Sequence, residues 1–193
     1  SLQIGDPNTI AFRTGITTVA DFRRMDIAAG GQGAPLVPAF HDAVLRSENE
    51  NRVIVNIGGM ANITLLAQNF SVSGFDTGPG NVLMDSWIQK HKSLAHDAEG
   101  SWARSGQCLE ALLQQLLSHP YFSLPAPKST GREMFHLAWL EAQLTEIGEI
   151  KAEDVQRTLL EFTARSIGDA IAQLPAPIDR VLLCGGGSHN TYL

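Results

Sequence analysis

Cysteine is scarce in this sequence. Cys108 and Cys184 lie far apart and neither belongs to a Cys-x-x-Cys or Cys/His spacing, which excludes a disulfide scaffold, gives no zinc site and suits a cytosolic chain. No apolar run reaches the roughly 18 residues of a membrane span, and no basic stretch followed by an apolar one opens the chain. No membrane partner is expected. Lysine and arginine total 14 against 20 acidic residues, a net charge of −6, without a basic run or aromatic-basic interleaving. That argues against nucleic acid as the main partner and leaves a small ligand as the easier one. Aromatic residues are few, at 7 %, yet 44 % hydrophobic against 18 % charged residues supplies a core, so the chain reads as globular.

The common nucleotide and hydrolase fingerprints are missing as well. No Gly-x-Gly-x-x-Gly opens a helix, and "PAPKSTGRE" carries the Lys-Ser-Thr of a phosphate loop without its glycine spacing. Lys128, Ser129 and Thr130 therefore read either as phosphate contacts or as residues that hold a loop, and Arg132 and Glu133 as a helix start. No serine sits in a Gly-x-Ser-x-Gly elbow, which lowers the case for an α/β-hydrolase.

What is present is an alternation of strand and helix patterns. "GITTVADF" is rich in β-branched residues and predicts a strand. After Gly33 the spacing of Leu36, Val37, Phe40, Val44 and Leu45, with Pro35 in the first turn, predicts a helix. "RSENENR" is a polar break and the best domain boundary. "VIVNIGG", "MANITLLAQ" and "FSVSGF" predict three strands in close succession, an antiparallel or mixed start to a sheet. Helical spacing returns in "NVLMDSWIQKH", "SWARSGQCLEALLQQLLSH", "REMFHLAWLEAQL" and "EDVQRTLLEFTARSIGDAIAQL", and "DRVLLCGGG" ends on a buried strand. The fold class is α/β. A start without Met and a close just past this strand and glycine turn read as a piece of a longer protein.

Four glycine-rich clusters interrupt these elements: "AAGGQGAP", "NIGGMAN", "DTGPGN" and "CGGGSHN". Glycines at strand ends and helix starts let backbone N–H groups approach phosphate, while each alone is also explained by a tight turn. Asp76, in "GFDTGPGN", is either a turn residue or an ionised carboxylate fixed on a Gly-Pro turn at a helix N-terminus, suited to act as a base. "DFRRMD" sets Asp21 and Asp26 around Arg23 and Arg24, either idle surface charge or a fork for a carboxylate or hydroxyl-rich ligand. His41 and His136 fall within helical patterns; His189, just past the triple glycine, is a pocket candidate by position.

In this order, "DFRRMDIAAGGQGAPLVPAFH", "NIGGMANIT", "GFDTGPGNVLMDSW", "PKSTGREMF" and "CGGGSHN" resemble the 1,6-anhydro-N-acetylmuramic acid kinases over nearly the whole chain. The resemblance implies the sugar kinase, Hsp70 and actin (ribonuclease H-like) fold, a mixed sheet flanked by helices, in a protein of two α/β domains with ATP and sugar in the cleft between them. Residues 1–50 would be the end of the N-terminal domain with an interdomain helix, and residues 51–193 most of the C-terminal domain, its last part missing.

The implied reaction activates water with a carboxylate, opens the 1,6-anhydro bridge and passes the γ-phosphate of ATP to O6, giving N-acetylmuramic acid 6-phosphate for cell-wall recycling in a bacterial cytoplasm. The implied base is Asp76, held solvated and ionised. Gly58, Gly59 and Asn62 would serve the β- and γ-phosphates, with Gly78, Gly80 and Asn81 in the turn that follows the base, and Gly185, Gly186, Gly187 and Asn190 would serve the adenosine. Asp21, Arg23, Arg24, Asp26, Gly31 and Gln32 would face the sugar, one of the arginines meeting its lactyl carboxylate. Mg²⁺ is expected with ATP, no metal ligand is assigned, and a homodimer fits the resemblance. The family's first phosphate-clamping loop, of Met-Ser-Gly-Thr-Ser type, has no match here, so these 193 residues alone are expected to be inactive. The alternative reading is a non-catalytic nucleotide- or sugar-binding module of the same superfamily, which would need no base at Asp76.

Overall fold

The computed structural model describes residues 5–145 and 147–193. Among them β1 (Arg52–Ile57), β2 (Met60–Leu66), β3 (Ser73–Pro79) and β4 (Arg180–Cys184) form one mixed sheet in the order β3-β2-β1-β4. β1 and β2 pair antiparallel through the Gly58–Gly59 hairpin, β2 and β3 pair antiparallel, and β4 returns parallel to β1. A parallel return needs a long crossover, and the helices between β3 and β4 supply it.

Alternation along each strand sorts the residues to two faces. Val53, Val55, Ile57, Ala61, Ile63 and Phe75 form one buried cluster with Ile167 of α8 (Ala152–Ala172). A second cluster joins the other side of α8 to α4 (Val82–Lys92), α5 (Ser101–Ser105), α6 (Glu110–Leu117) and α7 (Leu137–Leu144), through Leu83, Trp87, Ile88, Leu112, Leu113, Leu116, Leu140, Leu159 and Phe162. Each such side chain contributes about 1.5–3 kcal/mol when fully buried. The other face of the sheet carries Asn56, Asn62, Thr64 and Asp76 and is covered at one end by α3 (Pro38–Leu45), where His41 Nδ1 lies 2.9 Å from Thr64 Oγ1.

The first helices are built differently. Asp6 caps α1 (Pro7–Thr14) by accepting from the N–H groups of Asn8 and Thr9, and Gly15 ends it at φ 68°. No residue of α1 or of α2 (Phe22–Ala28) is buried, and Phe12, 91 % exposed, stands out with Met25 and Val19.

Five local expectations are corrected. "RVLLC" is a strand but not a buried one, with Val181 46 % and Leu183 59 % exposed. "GITTVADF" forms no strand: residues 15–21 are irregular, because β-branched residues need a partner strand and these find none. The expected helix over 101–119 is two helices, broken at Gly106, which is extended (φ −99°, ψ 173°) and lies so close to the Glu153 carbonyl that no Cβ would fit. The helix after Met134 starts only at Leu137, where His136 Nδ1 accepts the Trp139 N–H at 3.2 Å. The helix after Gly33 starts at Pro38, not Pro35.

Candidate active site

Asp76 sits within β3, not at a helix N-terminus, and is only 5 % exposed. A loop from the far side of the sequence holds it. Ser129 Oγ donates to Asp76 Oδ2 at 2.9 Å and the Thr130 N–H donates to the same oxygen at 3.0 Å. The Asp76 N–H in turn donates to the Lys128 carbonyl at 3.0 Å, and the Tyr121 hydroxyl donates to the Asp76 carbonyl. Both donors to the carboxylate, one hydroxyl and one backbone N–H, thus fall on Oδ2, leaving Oδ1 for a further partner. Lys128 Nζ anchors the loop on the carbonyls of Tyr121 and Phe122, each at 3.2 Å. Of the two readings of Lys128, Ser129 and Thr130, the geometry selects the loop that holds.

Burial pushes the Asp76 carboxyl above its usual range, against the lowering effects of the Thr130 and Ser129 hydrogen bonds and the Arg23 charge; Glu133 adds a small push upward. The expected solvated carboxylate of low proton affinity is therefore corrected to a buried one of raised affinity, a stronger base wherever it is ionised.

Arg23 and Arg24 part company. Arg23 acts electrostatically on Asp76, and its Nη1 donates to the Gly33 carbonyl at 2.6 Å. Asp26 Oδ2 accepts the Gly33 N–H at 2.7 Å, and Gly31 passes so close to that carboxylate that a Cβ would collide with it. Arg24 faces solvent beside Asp21 at 3.5 Å, an exposed pair of little energetic weight. Adjacent helical residues lie about 100° apart, so α2 presents one arginine inward and one outward. Gln32 is exposed in the same turn.

The remaining glycine motifs converge at the other end of β1 and β2. Gly58 and Gly59 cross the start of α4 so closely that the Asn81 N–H donates to the Gly58 carbonyl at 2.8 Å, while Gly80 and Val82 donate to Gly59 at 2.9 and 3.1 Å. A Cβ on Gly80 would strike the Gly58 carbonyl. Asn81 Nδ2 reaches the Ile57 carbonyl at 3.3 Å, and its Oδ1 lies 3.0 Å from where a Cβ on Gly187 would stand. Gly185, at φ 84°, fits against Asn56 and the Ile57 carbonyl. Gly78 packs on Phe122, and Thr163 of α8 donates to the Gly80 carbonyl at 2.9 Å. Beside this junction opens a cavity of about 860 Å³, lined among others by Asn81, Asp85, His96, Gly186, His189 and Asn190. The Asn190 side chain also caps its own turn, accepting from the N–H groups of Tyr192 and Leu193 at 3.1 and 3.2 Å.

Asn62 joins the other group. It is paired with Asp76 across β2 and β3, so their side chains share a face. Tyr121 and Arg132 escaped the sequence reading of the site. The first is an ordinary aromatic in "SHPYF"; the second leans over Gly59, its Nη2 3.9 Å from where a Cβ there would stand, and acts electrostatically on Asp85, whose carboxyl is pushed up by burial. Among the described residues no group of three or more His, Cys, Asp or Glu could hold a metal ion.

The arrangement is a buried, positioned carboxylate on a sheet face, with a glycine-walled cavity at the neighbouring strand ends. Comparison with known proteins agrees with that chemistry. A family model described as Anhydro-N-acetylmuramic acid kinase matches residues 1–193. Proteins named anhydro-N-acetylmuramic acid kinase are 59 % identical in Shewanella sp. strain MR-4, 57 % in Saccharophagus degradans and 55 % in Pasteurella multocida strain Pm70; each match covers 100 % of this chain and 52 % of the relative. The chain spans about half the length of the curated relatives it matches.

Proposed function

Because the chain belongs to the anhydro-N-acetylmuramic acid kinase family, we propose that the whole protein opens the 1,6-anhydro ring of 1,6-anhydro-N-acetylmuramic acid and phosphorylates O6 with ATP. The observation that carries this reading is Asp76: a buried carboxylate fixed through Oδ2, with Oδ1 left for a water. Asp76 takes a proton from that water, whose oxygen bonds to the anomeric carbon. The bond from that carbon to O6 breaks, and O6 takes the γ-phosphoryl group as ADP leaves. Positioning supplies much of the rate, and burial supplies proton affinity nearer the working pH.

The glycine junction at Gly58, Gly59, Gly78, Gly80 and Asn81 would receive the phosphates, and the cavity lined by Gly186, Gly187, His189 and Asn190 the nucleoside. Arg23 is the arginine we assign to the lactyl carboxylate, since it is the one whose charge reaches Asp76; Asp21, Arg24, Asp26, Gly31 and Gln32 would shape that wall. Mg²⁺ would arrive on the nucleotide phosphates and neutralise their charge; Asp85, half-buried, is one of the carboxylates that line the cavity with Asp97 and Glu99.

The sheet order and its antiparallel start support the sugar kinase, Hsp70 and actin fold, with residues 51–193 most of one domain. The exposed apolar side chains of residues 5–50 support their packing against the other domain, in a cytoplasmic enzyme that we expect to be a homodimer. No helix among the described residues is long and apolar enough to cross a membrane. These 193 residues by themselves are expected to be inactive.

The test uses the complete protein with 1,6-anhydro-N-acetylmuramic acid, Mg-ATP and ¹⁸O-labelled water. Mass spectrometry should find a phosphorylated sugar carrying one water-derived oxygen, lost in Asp76→Asn. Phosphorylation without the label would remove Asp76 as the water-activating base, and no product at all would sink the kinase reading.

A further inference from the structure

Asn62 Oδ1 is a buried oxygen without a hydrogen-bond partner among the described residues. Such an orphan acceptor costs about 1–3 kcal/mol, and a fold keeps one where another state of the molecule satisfies it. This oxygen is closed to solvent. Asn56, paired with Asn62 on the other side, accepts the Cys184 thiol on its Oδ1 at 3.8 Å, and its Nδ2 makes no hydrogen bond to Asn62 Oδ1. The neighbour on the remaining side is Asp76, paired with Asn62 in the β2–β3 register. Cross-strand partners have Cβ atoms about 4.5–5.5 Å apart, within hydrogen-bonding reach of two short side chains. An ionised Asp76 can only accept and has nothing to offer Asn62 Oδ1. A protonated Asp76 has one O–H to donate.

We propose that Asn62 is a positioning residue for Asp76, whose side-chain oxygen receives the O–H that Asp76 acquires when it takes the proton from water. The inference rests on the kinase reading above for the source of that proton, not for the contact itself. The Ser129 and Thr130 donors hold Oδ2 in the ionised state; the Asn62 acceptor favours the protonated one. The other charged and titratable groups facing Asp76 are Arg23 from α2, Glu133 and Lys128 from the loop, and Tyr121, whose hydroxyl meets the Asp76 carbonyl. None of these offers an acceptor that is buried, unpaired and on the adjacent strand.

The experiment follows Asp76 directly in the complete protein by ¹³C-carboxyl NMR titration, its signal assigned by its loss in Asp76→Asn, alongside the pH dependence of kcat/KM. Asn62→Leu removes the acceptor, so the Asp76 titration and the acid limb of the rate profile should both move down by about one pH unit. Asn62→Asp places a second carboxyl there and should move both up. An Asp76 titration unmoved in both variants overturns the proposal, as does an Asn62→Leu loss confined to the KM for ATP with an unmoved acid limb. Should Asn62→Leu fail to fold, Asn62→Ala decides by the same downward shift. NMR titrations that shift in the variants of a protein whose wild type never turns over the anhydro sugar would overturn the kinase reading and leave the Asn62–Asp76 contact standing.

Discussion

The two faces of the sheet are written in the same strands, one residue apart, and do opposite work. Toward α8 stand Val53, Val55, Ile57, Ala61, Ile63 and Phe75, all apolar and buried; on the reverse, Asn56, Asn62 and Asp76 form a polar row across three neighbouring strands. A buried carboxylate and an unpaired amide oxygen both cost stability. The apolar face offsets that cost, which places the proposed chemistry and the stability on opposite sides of a layer one residue thick.

The largest effect that would break this division comes from Asp76→Asn in the complete protein. Turnover should fall about 1,000-fold, while the melting temperature at neutral pH should rise, because the substitution removes a charge that burial disfavours. The sign follows from the raised carboxyl: the folded state binds the proton more tightly than the unfolded chain, so stability from this group is present at low pH and lost as pH rises through its folded value. The melting-temperature gap between variant and wild type should therefore shrink on acidification. A variant that melted well below wild type at neutral pH would contradict the division.

Ile63→Ala on the apolar face should do the reverse, costing about 2–5 kcal/mol in denaturant titration with the KM values of the surviving enzyme unchanged. Ser129→Ala takes one donor from Oδ2 and should lower kcat about tenfold, near the 1.5 kcal/mol of one charge-assisted hydrogen bond, with little change in melting. Thr64→Val sharpens the picture most finely. It lies on the polar face but under α3, so losing the His41 contact should cost about 1 kcal/mol in stability and leave kcat alone.

Much of this division can be read from "VIVNIGGMANIT", where apolar residues alternate with Asn56 and Asn62 on either side of a glycine pair. The three close strands with an antiparallel or mixed start, and a later strand at "RVLLC", follow from pattern; that the last one pairs parallel to β1 does not. The grip on Asp76 does not: Ser129 lies 53 residues away in sequence, and no local pattern marks a hydroxyl that will fold back onto a strand. "KSTGRE" lacks the glycine spacing of a phosphate loop and left loop-holding open, but nothing local names the strand that the loop would hold. "GITTVADF" misled for a related reason, since β-branched composition describes one strand and pairing needs two. Which of Arg23 and Arg24 turns inward depends on how α2 is rotated, and that is fixed by the Gly30–Gly33 turn wrapping Asp26 rather than by the arginines.

The hydrogen bond from the Asp76 amide to the Lys128 carbonyl has a consequence for solubility. β3 is an outer strand, and outer strands with free amides recruit strands from other molecules. Here the same loop that grips the carboxylate occupies the strand's outward amide at its midpoint and interrupts the unbroken row that a second chain would need. A cut or insertion between Lys128 and Thr130 would thus do two kinds of harm at once: it would release the carboxylate proposed as the base and uncover an adhesive edge, adding a tendency to aggregate to the expected loss of activity.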